Sequence, residues 1–484
     1  MASPNCWRCL VRPSQRLTVP TTLLPTSSPS TAAPAAAFTT SAAQLARLPF
    51  SKTPKAKTRT THGSEGGMSR HIRVGKMLVL GKKRRNADKL KPPATGERKA
   101  FRKRIQLTNN NALLVTGLDE LTVENIVDPS AVGQMVSLPP DLIDQLRTSE
   151  AFKPTQNWNL FRSPHMLLRK ESVDLATQLT EAIAKKETLR LVVTGDRASG
   201  KSMLGLQALA TGFMNNWIVI NIPEAQELVT AATEYSQIPN SEMFSQPVYT
   251  VKLFQAISKA NHALLSQCKV ELDHMHLPIS VNRGMTLAAL ANATKEPEFA
   301  WPVFQAFWRE LLLPGRPPIL LALDGLSHIM RVSDYRSPSF ELIHSHDFGL
   351  VRLFADALGG KTKFVNGAAV LGVCSKGNSP LIPSVEKALA QVVAAQAGAP
   401  VPPRDPFFTK YDERVFDALR GVRVLNVRGV SKLEARALME YWAASGILRM
   451  RVDERGVSEK WTLAGSGILG EMERVALYDV RMSA

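Results

Sequence analysis

The segment that most constrains the fold of this chain is residues 195–202, which read Gly-Asp-Arg-Ala-Ser-Gly-Lys-Ser. Glycine at the first and sixth positions, followed by lysine and then serine, is the phosphate-binding P-loop pattern. In that pattern backbone N–H groups surround a phosphate, the lysine lies between the β- and γ-phosphates, and the serine hydroxyl is a Mg²⁺ ligand. The predicted nucleotide-binding residues are Gly195, Asp196, Arg197, Ala198, Ser199, Gly200, Lys201, Ser202 and Met203.

The sequence around this loop predicts an α/β fold. The apolar run Leu191-Val192-Val193 precedes the loop, and a helix-like segment follows it. Three more short apolar runs, at 217–222, 319–323 and 369–374, are separated by helix-like segments. Strands that alternate with helices are typical of a mainly parallel sheet with helices on both faces. We therefore expect a P-loop NTPase core over residues 188–393.

A P-loop also needs an acidic residue at the end of another strand to hold Mg²⁺ through water. Asp324 directly follows the apolar run 319–323, so Ser202 and Asp324 are the predicted metal ligands. Ser375 and Asn378 follow the run that ends at Cys374. They are candidates for sensing the γ-phosphate, although polar residues in a turn could equally be structural.

Two features of other P-loop enzymes are missing from the sequence: the glutamate typical of rapid hydrolysis and the motif that recognises guanine. Gly325 stands where many P-loop ATPases carry a glutamate that polarises the attacking water. No catalytic residue can therefore be assigned, and we expect at most slow GTP or ATP hydrolysis. The chain also has no Asn-Lys-x-Asp motif for guanine, so motifs leave the choice of purine open.

The positive charge of the chain is concentrated at its N-terminus. The net charge is +18, yet residues 1–104 alone hold 22 lysines and arginines against 3 acidic residues. The remainder holds 38 basic and 39 acidic residues and is nearly neutral. A basic arm on a neutral body indicates an extension that anchors the protein to a polyanion such as RNA.

Within this arm the composition changes along the chain. The first acidic residue is Glu65, and the residues before it are rich in Ser, Thr, Ala and Pro with scattered arginines. This composition is typical of an organellar transit peptide, predicted here as residues 1–46, although an uncleaved disordered tail has the same composition. Residues 47–104 are predicted to be a disordered basic arm that contacts RNA, with a solvated tail or a nuclear signal as the alternatives.

Apart from the core, the rest of the chain divides into three further segments. Residues 105–187 are predicted to be an N-terminal strap and helix, ahead of the core. Residues 394–406 are rich in Ala, Gly and Pro, which indicates a linker. Residues 407–484 are predicted to be a small winged-helix-like domain, with helices at 414–419 and 432–445 and a two-stranded wing at 447–452 and 461–464.

Cysteine content indicates the redox compartment of the protein, and hydropathy indicates whether the chain enters a membrane. Four cysteines are too few for a disulfide framework, which indicates a reducing compartment. No stretch of 18 or more uncharged apolar residues occurs, so we expect no membrane insertion.

Beyond the P-loop, the chain resembles the death-associated-protein family of mitochondrial small-subunit ribosomal proteins, which are P-loop GTP-binding proteins. The resemblance runs in order from about residue 138 to about 360 and includes Leu138-Pro139, Phe152-Lys153, Gln156, Trp158, Leu160-Phe161-Arg162, Pro164, Arg169, the P-loop, 217–223, Gln246-Pro247, Asn261, Asp324-Gly325, Ser333, Tyr335, His344 and Asp347.

The resemblance implies a place in the head of the mitochondrial small ribosomal subunit, in the mitochondrial matrix. It implies bound GTP or GDP with Mg²⁺, with ATP left open, and contacts to the small-subunit rRNA and neighbouring ribosomal proteins. It also implies an AAA-like core and a winged-helix-like end.

Two other functions remain open from the residues alone. One is an active mitochondrial AAA-type ATPase, and the other is a P-loop kinase or another transferase. An active ATPase needs a glutamate at position 325 and an arginine finger, and a kinase needs a base at the acceptor site. We can assign none of these residues. The basic arm favours the ribosomal alternative.

Overall fold

A parallel five-stranded sheet lies at the centre of the structure, a computed structural model that describes residues 105–293, 296–377 and 379–478. The strands are β1 (Met135–Ser137), β2 (His165–Leu167), β3 (Thr188–Gly195), β4 (Ile218–Ile222), β5 (Ser236–Gln237), β6 (Phe244–Ser245), β7 (Ile319–Asp324), β8 (Val332–Arg336), β9 (Leu342–His344), β10 (Ala368–Val373) and β11 (Arg423–Val427).

The α-helices of the same residues are α1 (Pro140–Thr148), α2 (Lys170–Ala184), α3 (Lys201–Met214), α4 (Pro247–Ala260), α5 (His262–Gln267), α6 (Leu287–Ala293), α7 (Pro297–Leu311), α8 (Leu326–Ile329), α9 (Gly349–Leu358), α10 (Pro383–Gln396), α11 (Glu413–Ala418), α12 (Lys432–Ala444), α13 (Glu454–Leu463) and α14 (Leu469–Glu473). None of the helices in this part of the chain is long and apolar enough to cross a membrane. The predicted transit peptide, the predicted basic arm and Asn378 lie outside the described residues.

The central sheet has the order β11-β3-β10-β7-β4, and all of its pairings are parallel. Strand β10 lies between β3 and β7, with Val373 opposite both Val193 and Asp324. The carboxyl ends of these three strands are thus in register at one edge, where open α/β sheets bind ligands. The P-loop and Asp324 therefore lie at the same edge of the sheet.

Helices cover both faces of this sheet, as the sequence predicts. Successive strand residues point to opposite faces, and Leu320 and Ala322 accordingly join one buried core while Leu321 and Leu323 join the other. Helices α1, α2 and α3 supply the first core, and α4, α7 and α9 supply much of the second. Because both faces are buried, β7 and β10 are apolar along nearly their whole length. The predicted α/β class with a parallel sheet is confirmed.

Side-chain amides cover the backbone of the two edge strands. Asn261 Oδ1 accepts from the N–H of Val219 in β4 at 2.8 Å, and its Nδ2 donates to the Val219 carbonyl at 2.9 Å. At the other edge the Gln396 amide, oriented by its hydrogen bonds, pairs in the same way with the N–H and carbonyl of Val424 in β11. An exposed edge strand invites pairing with another chain, and these two residues satisfy part of each edge.

The C-terminal part of the chain differs from the prediction. The two helices predicted around 414–419 and 432–445 form as α11 and α12, but the predicted wing is wrong. Residues 454–463 are helix α13, begun by Asp453, whose side chain accepts from the N–H of Gly456 at 2.8 Å. Trp461 lies in that helix and donates from Nε1 to the Val430 carbonyl at 2.7 Å. The aspartate cap begins this helix, and the helix contains residues 461–463, which were predicted to lie in the second strand of the wing.

The strand of this region is β11, which joins the central sheet. Residues Arg423–Val427 pair in parallel with β3, with Val427 opposite Gly195 at the start of the P-loop. Helix α10 continues to Gln396, so the predicted linker at 394–406 begins inside a helix. Residues 423–427 are therefore joined to the core by a strand pairing, and the residues after 430 pack around a buried cluster of their own that includes Leu438, Met439 and Trp442.

Candidate nucleotide-binding site

The P-loop leaves β3 in a backbone conformation that requires glycine at its first position. Gly195 has φ +147°, and an added Cβ would lie 2.3 Å from the Val427 carbonyl oxygen of β11. A side chain at 195 would thus collide with the neighbouring strand. The sequence motif attributes this glycine to the phosphate, and the structure adds the close approach of β11 as a second reason.

Lys201 begins helix α3 and turns its side chain back into the loop. Its ammonium donates to the carbonyl oxygen of Gly195 at 3.2 Å and to that of Asp196. Burial lowers the pKa of Lys201, and the nearby Lys376 ammonium lowers it further. A phosphate between the loop amides and Lys201 would supply the counter-charge that this buried ammonium lacks.

The structure brings the two predicted metal ligands together. Ser202 Oγ in the first turn of α3 donates to Asp324 Oδ2 at the end of β7, at 2.8 Å. A hydroxyl and a carboxylate at this separation can hold one Mg²⁺ between them, since Mg²⁺ prefers oxygen ligands and keeps several waters. The two side chains thus supply oxygen donors of the kind that Mg²⁺ binds.

A residue that was not predicted for the site contacts the same carboxylate. Lys153 Nζ forms an ion pair with Asp324 Oδ2, the oxygen that also accepts from Ser202. Any Mg²⁺ at this position would share Asp324 with a lysine. The sequence marks Lys153 only as one of the residues shared with the family, and a contact across 171 positions leaves no local signal.

The loop opens into a cavity of about 560 Å³, within the range typical of small-ligand pockets. Residues Arg197 to Met203 of the loop line one side, and Ser375, which follows β10, lines it too. The other walls come from the N-terminal strap, which is the segment 149–169 before α2, and from α12 and α14. The large lining side chains there are Trp158, Phe161, His165, Tyr441 and Trp442.

The aromatic walls are held by contacts between the strap and α12. The rings of Phe161 and Tyr441 stack with centroids 5.2 Å apart. His165 Nδ1 lies 2.8 Å from the Tyr441 hydroxyl. Such a surface, apolar with a few fixed polar groups, is suited to a purine ring.

Among the residues lining the cavity, Glu473 is the single acidic one in the described part of the chain. Its carboxylate accepts from Asn157 Nδ2 of the strap at 2.5 Å. Burial raises the pKa of Glu473, while the Asn157 hydrogen bond acts in the opposite direction. Neither residue was predicted from the sequence, because helix α14 carries no motif that links it to a P-loop 270 positions away.

Arg169 holds the loop, the strap and the C-terminal segment together. Its Nη1 donates to the Ser199 carbonyl at 2.8 Å and its Nη2 to the Arg428 carbonyl at 2.7 Å. The N–H of Gly470 in α14 donates to the Ala198 carbonyl at 3.0 Å. The loop is thus held in shape from its outer side by backbone and guanidinium contacts.

Other predicted residues have mixed outcomes. The Ser199 hydroxyl is buried and has no hydrogen-bond partner among the described residues, so a phosphate oxygen would satisfy it. Ser375 lies on the cavity, whereas Asn378 is outside the described residues. Burial raises the pKa of the thiol of Cys374, the residue that follows β10, to about 12.

Comparison with known proteins decides the family. The model of the family described as "Mitochondrial ribosomal death-associated protein 3" matches residues 166–475. The chain belongs to this family. The match spans the P-loop, β11 and helices α12 to α14, so the segments that form the cavity walls all lie within it, apart from the strap before residue 166.

Three similar proteins carry the name "Small ribosomal subunit protein mS29". The one from Neurospora crassa is 48% identical over 486 residues, covering 99% of this chain and 100% of the relative. The Schizosaccharomyces pombe relative is 23% identical over 66% of this chain and 67% of the relative. The Mus musculus relative is 21% identical over 50% of this chain and 60% of the relative. The family predicted from the sequence is confirmed, and its description agrees with the predicted mitochondrial and ribosomal location.

Proposed function

We propose that the protein is a structural component of the mitochondrial small ribosomal subunit, in its head, and that it holds a purine nucleotide with Mg²⁺ in the P-loop. Family membership supports the ribosomal part. The observation that carries the nucleotide part is the cavity that opens directly from residues 197–203, with a buried lysine on one side and aromatic walls on the other.

In this proposal each part of the loop has a role. The loop amides surround the β-phosphate, Lys201 neutralises the phosphates, and Ser202 with Asp324 holds Mg²⁺. Ser375, at the end of β10, would lie near a γ-phosphate. The position of β10 between the P-loop strand and the Asp324 strand is the arrangement expected of an AAA-like core.

The cavity walls favour guanine. Glu473 offers carboxylate oxygens that accept only, and guanine presents two donors, N1–H and the N2 amino group, on one edge. Adenine presents one donor, the N6 amino group, beside an acceptor at N1, so it offers this carboxylate fewer hydrogen bonds than guanine does. GTP or GDP is therefore the proposed ligand, with ATP as the alternative that the experiment below separates.

We propose that the nucleotide stabilises the fold and is not a source of energy through hydrolysis. Hydrolysis needs a residue that holds water in line with the γ-phosphate, and Gly325 has no side chain for this. Its backbone has φ +86°, a conformation that L side chains rarely adopt, so a glutamate there would be strained. The geometry thus gives no support to the alternative of an active AAA-type ATPase.

Contacts to rRNA are proposed for the N-terminal arm. Residues 70–104 contain the run Lys82-Lys83-Arg84-Arg85 and are opposed by only two acidic residues, Asp88 and Glu97. Lysine and arginine that bind phosphates release counterions, which supplies sequence-independent affinity. Neighbouring ribosomal proteins are the other proposed partners, consistent with a body of balanced charge.

The Lys201→Ala variant should lose its bound nucleotide. Nucleotide content of the purified full chain, measured by chromatography after denaturation, should fall from near one per chain to near zero. A ligand present at about 1,000 times its Kd stabilises the native state by about 4 kcal/mol. Added GDP should therefore raise the melting temperature of the wild type and leave that of the variant unchanged. The control is Lys185→Ala, at an exposed lysine far from the loop. Equal nucleotide content in both variants would refute the site.

The Glu473→Gln variant should lose its preference for guanine. The amide keeps the size of the side chain but replaces one acceptor with a donor, so affinity for GDP should fall by roughly tenfold. Affinity for ADP should stay level or rise, as measured by competition against a fluorescent nucleotide. Glu471→Gln is the matched control, because Glu471 lies on the same helix but points to solvent and pairs with Arg474. An unchanged ratio of GDP to ADP affinity in Glu473→Gln would remove Glu473 from the base site.

Single-turnover hydrolysis by the wild-type protein should be slow. With GTP bound and excess enzyme, we expect a rate constant far below that of a typical enzyme, about 10 per second. The measurement is release of labelled phosphate in a quenched time course, with heat-denatured protein as the blank. A rate near the typical value would favour the ATPase alternative over the structural one.

Deleting residues 70–104 should flatten the salt dependence of binding to small-subunit rRNA. Each phosphate contact that is lost removes one released counterion and so reduces the slope of log affinity against log salt. Filter binding over a series of potassium chloride concentrations measures this slope. Deleting 1–46 instead should leave the slope nearly unchanged, and nucleotide content should be the same in all three chains. An equal slope with and without 70–104 would exclude the arm as the RNA anchor.

A further inference from the structure

The Lys153–Asp324 ion pair lies where a P-loop protein places its metal. Asp324 Oδ2 contacts Ser202 Oγ and the Lys153 ammonium at once. The side chains of Lys153 and Asp324 are only 21% and 12% exposed, so solvent screens the pair weakly. The half-buried Lys153 ammonium at this carboxylate therefore changes the electrostatic potential at any ligand that binds beside Asp324.

The strap presents this lysine from a fixed position. The Lys153 N–H donates to Gln156 Oε1 at 2.8 Å, and Trp158 Nε1 donates to the same oxygen at 2.7 Å. The Phe152 and Trp158 rings pack edge to face with centroids 5.2 Å apart. These contacts form a tight turn, so the ammonium needs little further ordering when a ligand arrives.

The strap is also tied to the body on the other side of Lys153. The Ala151 N–H donates to the Leu146 carbonyl at the end of α1, at 2.9 Å. Glu150 forms an ion pair with Lys252 of α4 at 2.8 Å, on the protein surface. Lys153 is thus held over Asp324 by the packing of the strap as well as by charge.

The charge balance of the site shows what this lysine can do. Phosphates seated on the loop would lie near the Asp324 carboxylate and be repelled by it, unless a cation lies between them. In most P-loop proteins that cation is Mg²⁺. An ammonium has three donors, so Lys153 can keep its bond to Asp324 and still direct a donor toward Ser202 or a phosphate oxygen.

We propose that Lys153 stands in for Mg²⁺ at Asp324, so that the site retains a nucleoside diphosphate in the absence of a divalent cation. The inference rests on the proposed nucleotide site and adds a property that the P-loop motif does not predict. Mg²⁺ can still bind and share the carboxylate, but it is not needed for retention of the diphosphate.

The test is the affinity of the full-length protein for a fluorescent N-methylanthraniloyl-GDP, measured in excess Mg²⁺ and in EDTA. The wild type should lose less than about threefold in affinity when Mg²⁺ is removed, whereas Lys153→Met should lose at least about tenfold. Lys153→Arg, which keeps the charge, should resemble the wild type more than Lys153→Met does. Lys252→Met is the matched control, because it removes a lysine that ties down the same strap without touching Asp324.

A double variant guards against a folding defect. Lys153→Met leaves Asp324 partly buried without its cation, which can destabilise the fold. Lys153→Met combined with Asp324→Asn removes both charges, so affinity in EDTA should return toward the wild-type value.

The outcomes separate the two proposals. Wild-type binding in Mg²⁺ that is lost in EDTA would overturn the role of Lys153 and leave the nucleotide site intact. An equal loss in EDTA for Lys252→Met and Lys153→Met would also overturn it, because strap packing would then explain the effect. No binding by the wild type in either condition would instead refute the proposed nucleotide site.

Discussion

The buried Arg169 guanidinium joins parts of the chain that are far apart in sequence, and the shape of the site depends on it. A buried charge is costly unless it is fully compensated. Here carbonyl groups of Ser199 and Arg428 accept from its two Nη atoms, and the Glu171 carboxylate lies 3.4 Å away, while Nε has no partner among the described residues. The guanidinium therefore requires the P-loop and the chain that follows β11 to stay together. A loop held in this way from outside keeps its inner side free for a ligand.

The same requirement explains why the C-terminal quarter of the chain is part of the core. Val427 of β11 lies against Gly195, and Gly470 of α14 bonds to the carbonyl of Ala198. One strand, one guanidinium and one helix thus contact three successive parts of a loop of eight residues. A ligand in the cavity would touch the strap, the loop and α14 together, so its binding energy would stabilise their mutual packing and not the loop alone.

Much of the fold could be predicted from the sequence, because strands that are buried on both faces of the sheet appear in the sequence as short apolar runs. The runs that became β3, β4, β7 and β10 are continuous and apolar, and short strands of this kind are recognisable before a P-loop. Strand β11 escaped because it lies at an edge, where residues such as Arg423 and Asn426 are exposed. The predicted wing was wrong because residues 454–463 form a helix that Asp453 caps, and this helix includes most of the second predicted strand.

The candidate site was predictable only in its local part. The motif brings its own residues together, and the end of an apolar strand indicates Asp324. Lys153 and Glu473 could not be found in this way, because each reaches the site through packing between segments more than 100 positions apart. Both are charged residues that are partly buried, and such residues persist where a partner compensates them. Among the described residues, Lys153 pairs with Asp324 and Glu473 with Asn157, and each faces the space beside the P-loop. The partly buried charges that the motif does not explain therefore lie where the two ends of a nucleotide, its phosphates and its base, would meet the protein.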